Sequence, residues 1–208
     1  MMSWAVDMYA ATHHDASMKL GVVNTKGGVG KTTTTVYLAA AALRRGLTVQ
    51  VQDLDKQGSA TSWLDALAPI DGLTIAVANS YSVKRPSGAD LTILDTGPSD
   101  QNDVETVAGV ADFIIVPSSP GGLNDERTRK TVAYLEAKNT PHAVLLVQTR
   151  ARTGSTRESR DALLAHTAVF ETEIPDREAI RSNYGAWPKD LYGYDALFDE
   201  IQNEMGTR

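Results

Sequence analysis

Cysteine is absent from the 208 residues, and histidine occurs only four times. Without thiols there is no disulfide framework, no thiolate metal site and no redox motif. Four scattered histidines do not make a zinc site, and no apolar run approaches the roughly 18 residues of a membrane-spanning helix. Positive charge is not in excess either: 20 lysines and arginines face 26 acidic residues, a net charge of −6. Any contact with DNA therefore has to come from a local patch. Residues 1–17 have no clear periodicity, and they lack the basic start and long apolar core of a signal peptide. They read as a frayed leader or an extension from an upstream start codon, with His13-His14 a solvated pair and one domain running over 18–208. That length has room for a substantial core.

What is present is a strand, a glycine-rich turn and a helix in succession. The apolar run Leu20-Gly21-Val22-Val23 leads into Lys26-Gly27-Gly28-Val29-Gly30-Lys31-Thr32-Thr33, and Thr34 to Leu43 reads as a helix buried on one side. Such a turn suits a polyphosphate: its N–H groups converge on the anion, the helix dipole adds positive charge, and glycines let the backbone come close. Lys31 is placed to reach the β- and γ-phosphates, and the Thr32 hydroxyl to ligate Mg²⁺. The usual pattern wants a glycine at the head of the loop, where this chain has Thr25. It has instead a second lysine, Lys26. With that lysine the segment resembles the deviant P-loop of the ParA/MinD ATPases. The resemblance implies a P-loop fold, ATP and Mg²⁺ as cofactors, and an ATP-bound homodimer in which Lys26 reaches the partner's nucleotide.

Two further segments carry the resemblance. Leu47 to Gln52 reads as a strand, after Arg44-Arg45-Gly46 has closed the first helix with positive charge and a C-cap glycine. It ends in Asp53-Leu54-Asp55-Lys56-Gln57-Gly58, similar to the family's first switch. Carboxylates at the carboxyl end of a parallel strand lie where open α/β sheets place ligands. The resemblance implies that Asp55 orients the attacking water and that Asp53 lies in the outer shell of the magnesium. Lys56 stands where proline is usual; the lost proline frees φ and restores an N–H, so a looser switch is expected. Leu91-Thr92-Ile93-Leu94-Asp95 is a buried strand ending in an acid, as a Walker-B element requires, because the carboxylate has to face the metal from the sheet edge. Asp95 is thus the second carboxylate of the metal site, with Thr32 and Asp53. The following Thr96-Gly97-Pro98 is similar to the family's second switch, with Gly97 in place of one proline.

The remainder alternates regularly. A short helix is expected over Trp63 to Leu67, a strand over Leu73 to Ala78, and a variable loop over Ser80 to Ala89. Helices then read over Val104 to Val110, Asp125 to Ala137, Ser155 to His166 and Asp195 to Met205. Strands read over Phe113 to Pro117, Ala143 to Val147 and Val169 to Ile174. Continuous apolar strands separated by helices predict one α/β domain, a doubly wound, mostly parallel sheet with helices on both faces. Gln148, Pro175 and Arg177 lie just past strand ends, in the expected adenine region. Arg150, Arg152, Arg157 and Arg160 lie close together, opposed only by Glu158, and form a candidate grip on phosphate backbone. The alternative is a solvated face.

The terminal helix carries Asp195, Asp199, Glu200 and Glu204, which an anionic bilayer repels. This sets the chain apart from MinD-like membrane binders. The tyrosines Tyr192 and Tyr194 do not form a terminal kinase-type cluster, and too little chain precedes the P-loop for a helix-turn-helix module. The resemblance therefore implies a short ParA-type partition ATPase of the cytoplasm, associated with the nucleoid. It would dimerise on ATP, bind DNA nonspecifically and hydrolyse slowly until stimulated by a ParB-type adaptor. Alternatives are a positioning ATPase for a chemotaxis cluster or microcompartment, a metabolic enzyme of the dethiobiotin-synthetase type, and a nucleotide-binding module without useful hydrolysis.

Overall fold

The computed structural model describes residues 17–85, 87–98, 101–121, 126–150 and 154–206. Seven strands form one sheet: β1 (Met18–Val22), β2 (Val49–Asp53), β3 (Leu73–Val77), β4 (Leu91–Asp95), β5 (Phe113–Ser118), β6 (His142–Thr149) and β7 (Val169–Pro175). Their order is β3-β2-β4-β1-β5-β6-β7, and every pairing is parallel. The expected mostly parallel sheet is thus wholly parallel among the described residues. Every residue of β4 and β5 is buried, as strands covered on both faces must be.

The helices are α1 (Lys31–Leu43), α2 (Ser59–Asp65), α3 (Gln101–Ala108), α4 (Glu126–Ala137), α5 (Gly154–Leu164), α6 (Glu178–Arg181) and α7 (Tyr194–Gly206). A short 3₁₀ turn, Ser82–Lys84, lies within the segment expected to be a loop. Helix α2 begins at Ser59 and carries the expected Trp63 segment only as far as Asp65. Gly58, at φ 63°, turns the chain at its N-cap, a conformation that costs glycine little.

Strand alternation divides the core in two. On one face Leu20, Val22, Val51, Ile93, Ile115 and Leu145 pack with α1 and α7. On the other Leu94, Ile114, Val116, Val144 and Leu146 pack with α3, α4 and α5. Helix α1 is buried all round from Thr34 to Ala42, because its run of alanines lets it lie between the sheet and α7. Tyr37 and Tyr194 join those two helices with ring centroids 5.0 Å apart, and the Thr34 and Tyr194 hydroxyls are 3.1 Å apart. Across the sheet, Gly21 makes room for α3: a β-carbon there would stand 2.4 Å from Val107 Cγ1.

The central strand β1 lies between β4 and β5; the connection after β1 runs to β2 on one side and that after β5 to β6 on the other, which opens a crevice at their carboxyl ends. Val22 and Asp53 are both in register with Asp95. The loops after β1, β2 and β4 therefore meet on one edge of the sheet.

Candidate functional site

The loop between β1 and α1 is held from below by a residue that sequence reading passed over. Asn24 is fully buried. Its Nδ2 donates to the Pro117 carbonyl at 2.9 Å and to Thr128 Oγ1 at 3.1 Å, and its Oδ1 accepts the Lys26 N–H at 2.9 Å. The signal was available, since a buried amide at the end of an apolar strand has to find partners. Thr25, at the head of the loop, places its hydroxyl 3.4 Å from Thr131 Oγ1 on α4. Gly28 and Gly30 have φ of 74° and 76°, which turns the backbone tightly enough for α1 to begin at Lys31. The Lys31 ammonium is largely buried and donates to the Lys26 carbonyl at 3.2 Å. Burial lowers its pKa, while the charges of Asp95 and Asp55 pull it back up.

Beside this loop stand the two acidic segments. Asp95 is fully buried; Thr32 Oγ1 donates to its Oδ2 at 2.9 Å and Thr35 Oγ1 to its Oδ1 at 2.8 Å. Burial pushes its pKa up to about 7; the two hydroxyls work against that and the charge of Asp53 adds to it. A desolvated carboxylate behind a hydroxyl fits a cation held mostly by ligand phosphates, as Mg²⁺ is. Among the described residues no group of three or more His, Cys, Asp or Glu forms a protein cage for a metal.

Asp53 was expected in the outer shell of that cation, but its oxygens are otherwise engaged. Oδ1 accepts the Asp55 N–H at 3.0 Å, and Oδ2 accepts both the N–H and hydroxyl of Thr61 at 2.8 Å. In this arrangement it braces the switch and the start of α2. Asp55 does border the cleft. Its Oδ1 accepts the Gln57 N–H at 2.9 Å and its Oδ2 the Ser59 hydroxyl at 3.2 Å, while Gly58 N–H closes the turn on the Asp55 carbonyl at 2.8 Å. An Asx-turn and a β-turn hold the segment around Lys56 without proline.

The cleft above the loop encloses about 350 Å³ and is lined by Gly27, Gly28, Gly30 to Thr33, the Asp55 turn, Thr96 and Pro98. Gln148 closes its far side, with a left-handed φ of 56° and its Nε2 directed 3.4 Å from the Gly28 carbonyl. Next to it a smaller hollow is lined by Gly30, Thr33, Gln148, Ile174, Pro175 and Arg177 among others. The three residues read as the adenine region, Gln148, Pro175 and Arg177, are thus brought together against the loop.

A match to the model of the CobQ/CobB/MinD/ParA nucleotide-binding domain spans residues 20–186. The chain belongs to this family. It is 33% identical over 174 residues to the maintenance of carboxysome distribution protein A of Gloeobacter kilaueensis, covering 80% of this chain and 77% of that one. The chromosome-partitioning ATPase Soj of Thermus thermophilus is 32% identical over 133 residues, 48% of this chain and 53% of Soj. Among solved structures, a plasmid-partition-type protein of Borrelia burgdorferi B31, bound to AMPPNP, superimposes with a TM-score of 0.73 at 16% identity, covering 92% of this chain and 99% of that one. The chain is accordingly a ParA/MinD-type ATPase in family and fold. No helix among the described residues is long and apolar enough to cross a membrane.

Of the four arginines read as a ParA-type DNA grip, three can be placed. Arg150 is largely exposed and lies 3.5 Å from Asp176, and Arg157 is exposed. Arg160 is turned inward. Its guanidinium meets Glu173 Oε1 at 3.1 Å and the carbonyls of Phe170 and Glu171 at 2.9 Å, tying α5 to β7. Those contacts engage three of the five guanidinium N–H donors. Arg152 and residues 1–16 lie outside the described residues.

Proposed function

We propose that this protein is an ATP- and Mg²⁺-dependent partition ATPase that dimerises on ATP, holds DNA nonspecifically and lets go on hydrolysis. The observation that carries the reading is the convergence on one cleft of the Lys26 to Thr33 loop, the Thr32–Asp95 pair and the Asp55 turn. Backbone N–H groups and Lys31 take the phosphates, and Thr32 with Asp95 behind it holds the cation. ATP is the phosphoryl donor, and its γ-phosphate leaves to water. Asp55 orients that water, and Lys26 of a second copy adds positive charge from across the dimer. Catalysis is then positioning and charge stabilisation; basic groups supplied in trans contribute about 10³ to 10⁵ in rate in related phosphoryl transfer. Pairing two copies also doubles the exposed Arg150 and Arg157 surface, and a ParB-type adaptor on DNA stimulates hydrolysis. The protein would act in the cytoplasm, on the nucleoid.

A second reading shares this cycle but carries a protein cargo. It is favoured by the 33% identity to a carboxysome distribution protein over most of both chains.

Binding to nonspecific duplex DNA with ADP, ATP or AMPPNP, across a salt series, tests the proposal. Binding confined to the triphosphate states, falling with salt by about 0.9 log units per log unit of salt for each phosphate neutralised, is expected. No binding in any nucleotide state removes DNA from the proposal and leaves the ATPase cycle for a protein cargo.

A further inference from the structure

Gly97, one of the two departures from the ParA/MinD switch patterns, meets the Asp55 side chain. The N–H of Leu54 donates to the Asp95 carbonyl at 2.9 Å, zipping the chain after β2 onto the end of β4. Thr96 Oγ1 donates to the Val22 carbonyl at 2.9 Å and fixes the second switch from the other side. Asp55 is thereby laid against Gly97. A β-carbon at position 97 would stand 2.9 Å from Asp55 Oδ1, closer than β-carbons approach other heavy atoms, and a tight 3.2 Å from Asp55 Cγ. Gly97 is not in the left-handed region, so its backbone angles do not call for glycine. The requirement is one of space, and the atom that needs the space is the Asp55 carboxylate.

We propose that Gly97 is a positioning residue for hydrolysis: its bare α-carbon leaves the room in which the Asp55 carboxylate is seated at the nucleotide cleft. The inference rests on Asp55 orienting the attacking water. Three contacts set that carboxylate: the Gln57 N–H on Oδ1, the Ser59 hydroxyl on Oδ2, and the open face of Gly97. Gly97 itself does not line the cleft, whereas Asp55, Gln57 and Ser59 do, so it acts through Asp55. Its neighbour Pro98 lies 3.7 Å from where a β-carbon of Gly27 would be. The Gly97-Pro98 step thus fits between the phosphate loop and the first switch. A methyl group at 97 displaces the far end of a short side chain and leaves backbone in place. The fold survives while the carboxylate rotates off its Gln57 hydrogen bond.

The test is a cycle of Gly97→Ala, Asp55→Ala and the double variant in the full chain, measuring single-turnover and steady-state hydrolysis of Mg-ATP together with thermal melting. Gly97→Ala should lower kcat by about 10- to 100-fold, as a misplaced catalytic group does, with KM for ATP within about twofold and melting nearly unchanged. In the Asp55→Ala background the same change should cost nothing further, because the colliding carboxylate is gone. Should Gly97→Ala melt low, Asp55→Ala in the same chain should restore it; failure to do so overturns the inference. Wild-type kcat in Gly97→Ala beside an impaired Asp55→Ala overturns it and spares the role of Asp55. An equal loss in both backgrounds also overturns it. Normal turnover in Asp55→Ala removes the role of Asp55, and this inference with it.

Discussion

Thr35 donates its hydroxyl to Asp95 at 2.8 Å from inside α1, one turn beyond the phosphate loop. It shares the carboxylate with Thr32, so the start of the helix and the end of β4 are tied through one buried acid. Burial makes the acid costly, and the charge of Lys31 offsets that only in part. Its pKa is raised from 3.8 to about 7 in the folded chain, so folding favours its protonated form. The contribution to stability is full below about pH 4 and is lost as pH rises through about 7. Asp95→Asn should therefore raise the melting temperature of the nucleotide-free protein at pH 8, a span of three pKa units corresponding to about 4 kcal/mol, and leave it nearly unchanged at pH 4. The same variant should lose hydrolysis. Melting curves across pH, with and without Mg-ATP, check both; equal gains at pH 4 and pH 8 would sink the electrostatic account.

Lys31 lines the cleft and Lys26 does not, and the two substitutions should separate. Lys31→Ala removes the cation that meets the phosphates and should abolish ATP binding. Lys26→Ala should keep nucleotide binding by the monomer, while the ATP-dependent dimer disappears from sedimentation profiles and hydrolysis falls by about 10³-fold or more. A dimer that persists with ATP in that variant would take Lys26 out of the partner's site.

The arginines of the α5 region should divide into two kinds. Arg150→Ala and Arg157→Ala should each weaken DNA binding with little sequence preference and reduce the salt slope by about 1. Arg160→Ala should instead lower stability by about 1–3 kcal/mol, since it strands Glu173 and two carbonyls at the β7 edge. Fluorescence anisotropy on duplex DNA and urea unfolding separate the outcomes.

Gly21 sits where β1 passes under α3, and a β-carbon there collides with Val107 and comes within 3.2 Å of Ile114 Cγ1. Gly21→Ala should destabilise by about 1–3 kcal/mol through overpacking. The loss should shrink when Val107→Ala is added, as denaturant titration of the pair would show.

Much of the fold was legible because its signals are local. Apolar runs such as Leu91 to Leu94 and Phe113 to Val116, too short and too evenly apolar for surface helices, mark buried parallel strands wherever helices alternate with them. The phosphate loop is a contiguous motif, and its chemistry follows from glycine, lysine and threonine at fixed spacing. Helix ends were less legible: α2 closes at Asp65, short of the expected Leu67.

What sequence alone determined is the α/β class, the loop that faces phosphate, and the two acidic strand ends beside it, because each depends on residues adjacent in the chain. Tertiary structure decided which polar groups are already spent. Asp53 and Asp55 look alike as two turn carboxylates, yet Thr61 captures the first and the second is left at the cleft. Arg157 and Arg160 are near neighbours on α5, yet only Arg160 turns to Glu173, Phe170 and Glu171. Asn24 and Gly97 gain their importance from Thr128 and Asp55, far away in sequence. A hydrogen bond or a collision needs two partners in space, and chain order names only one of them at a time.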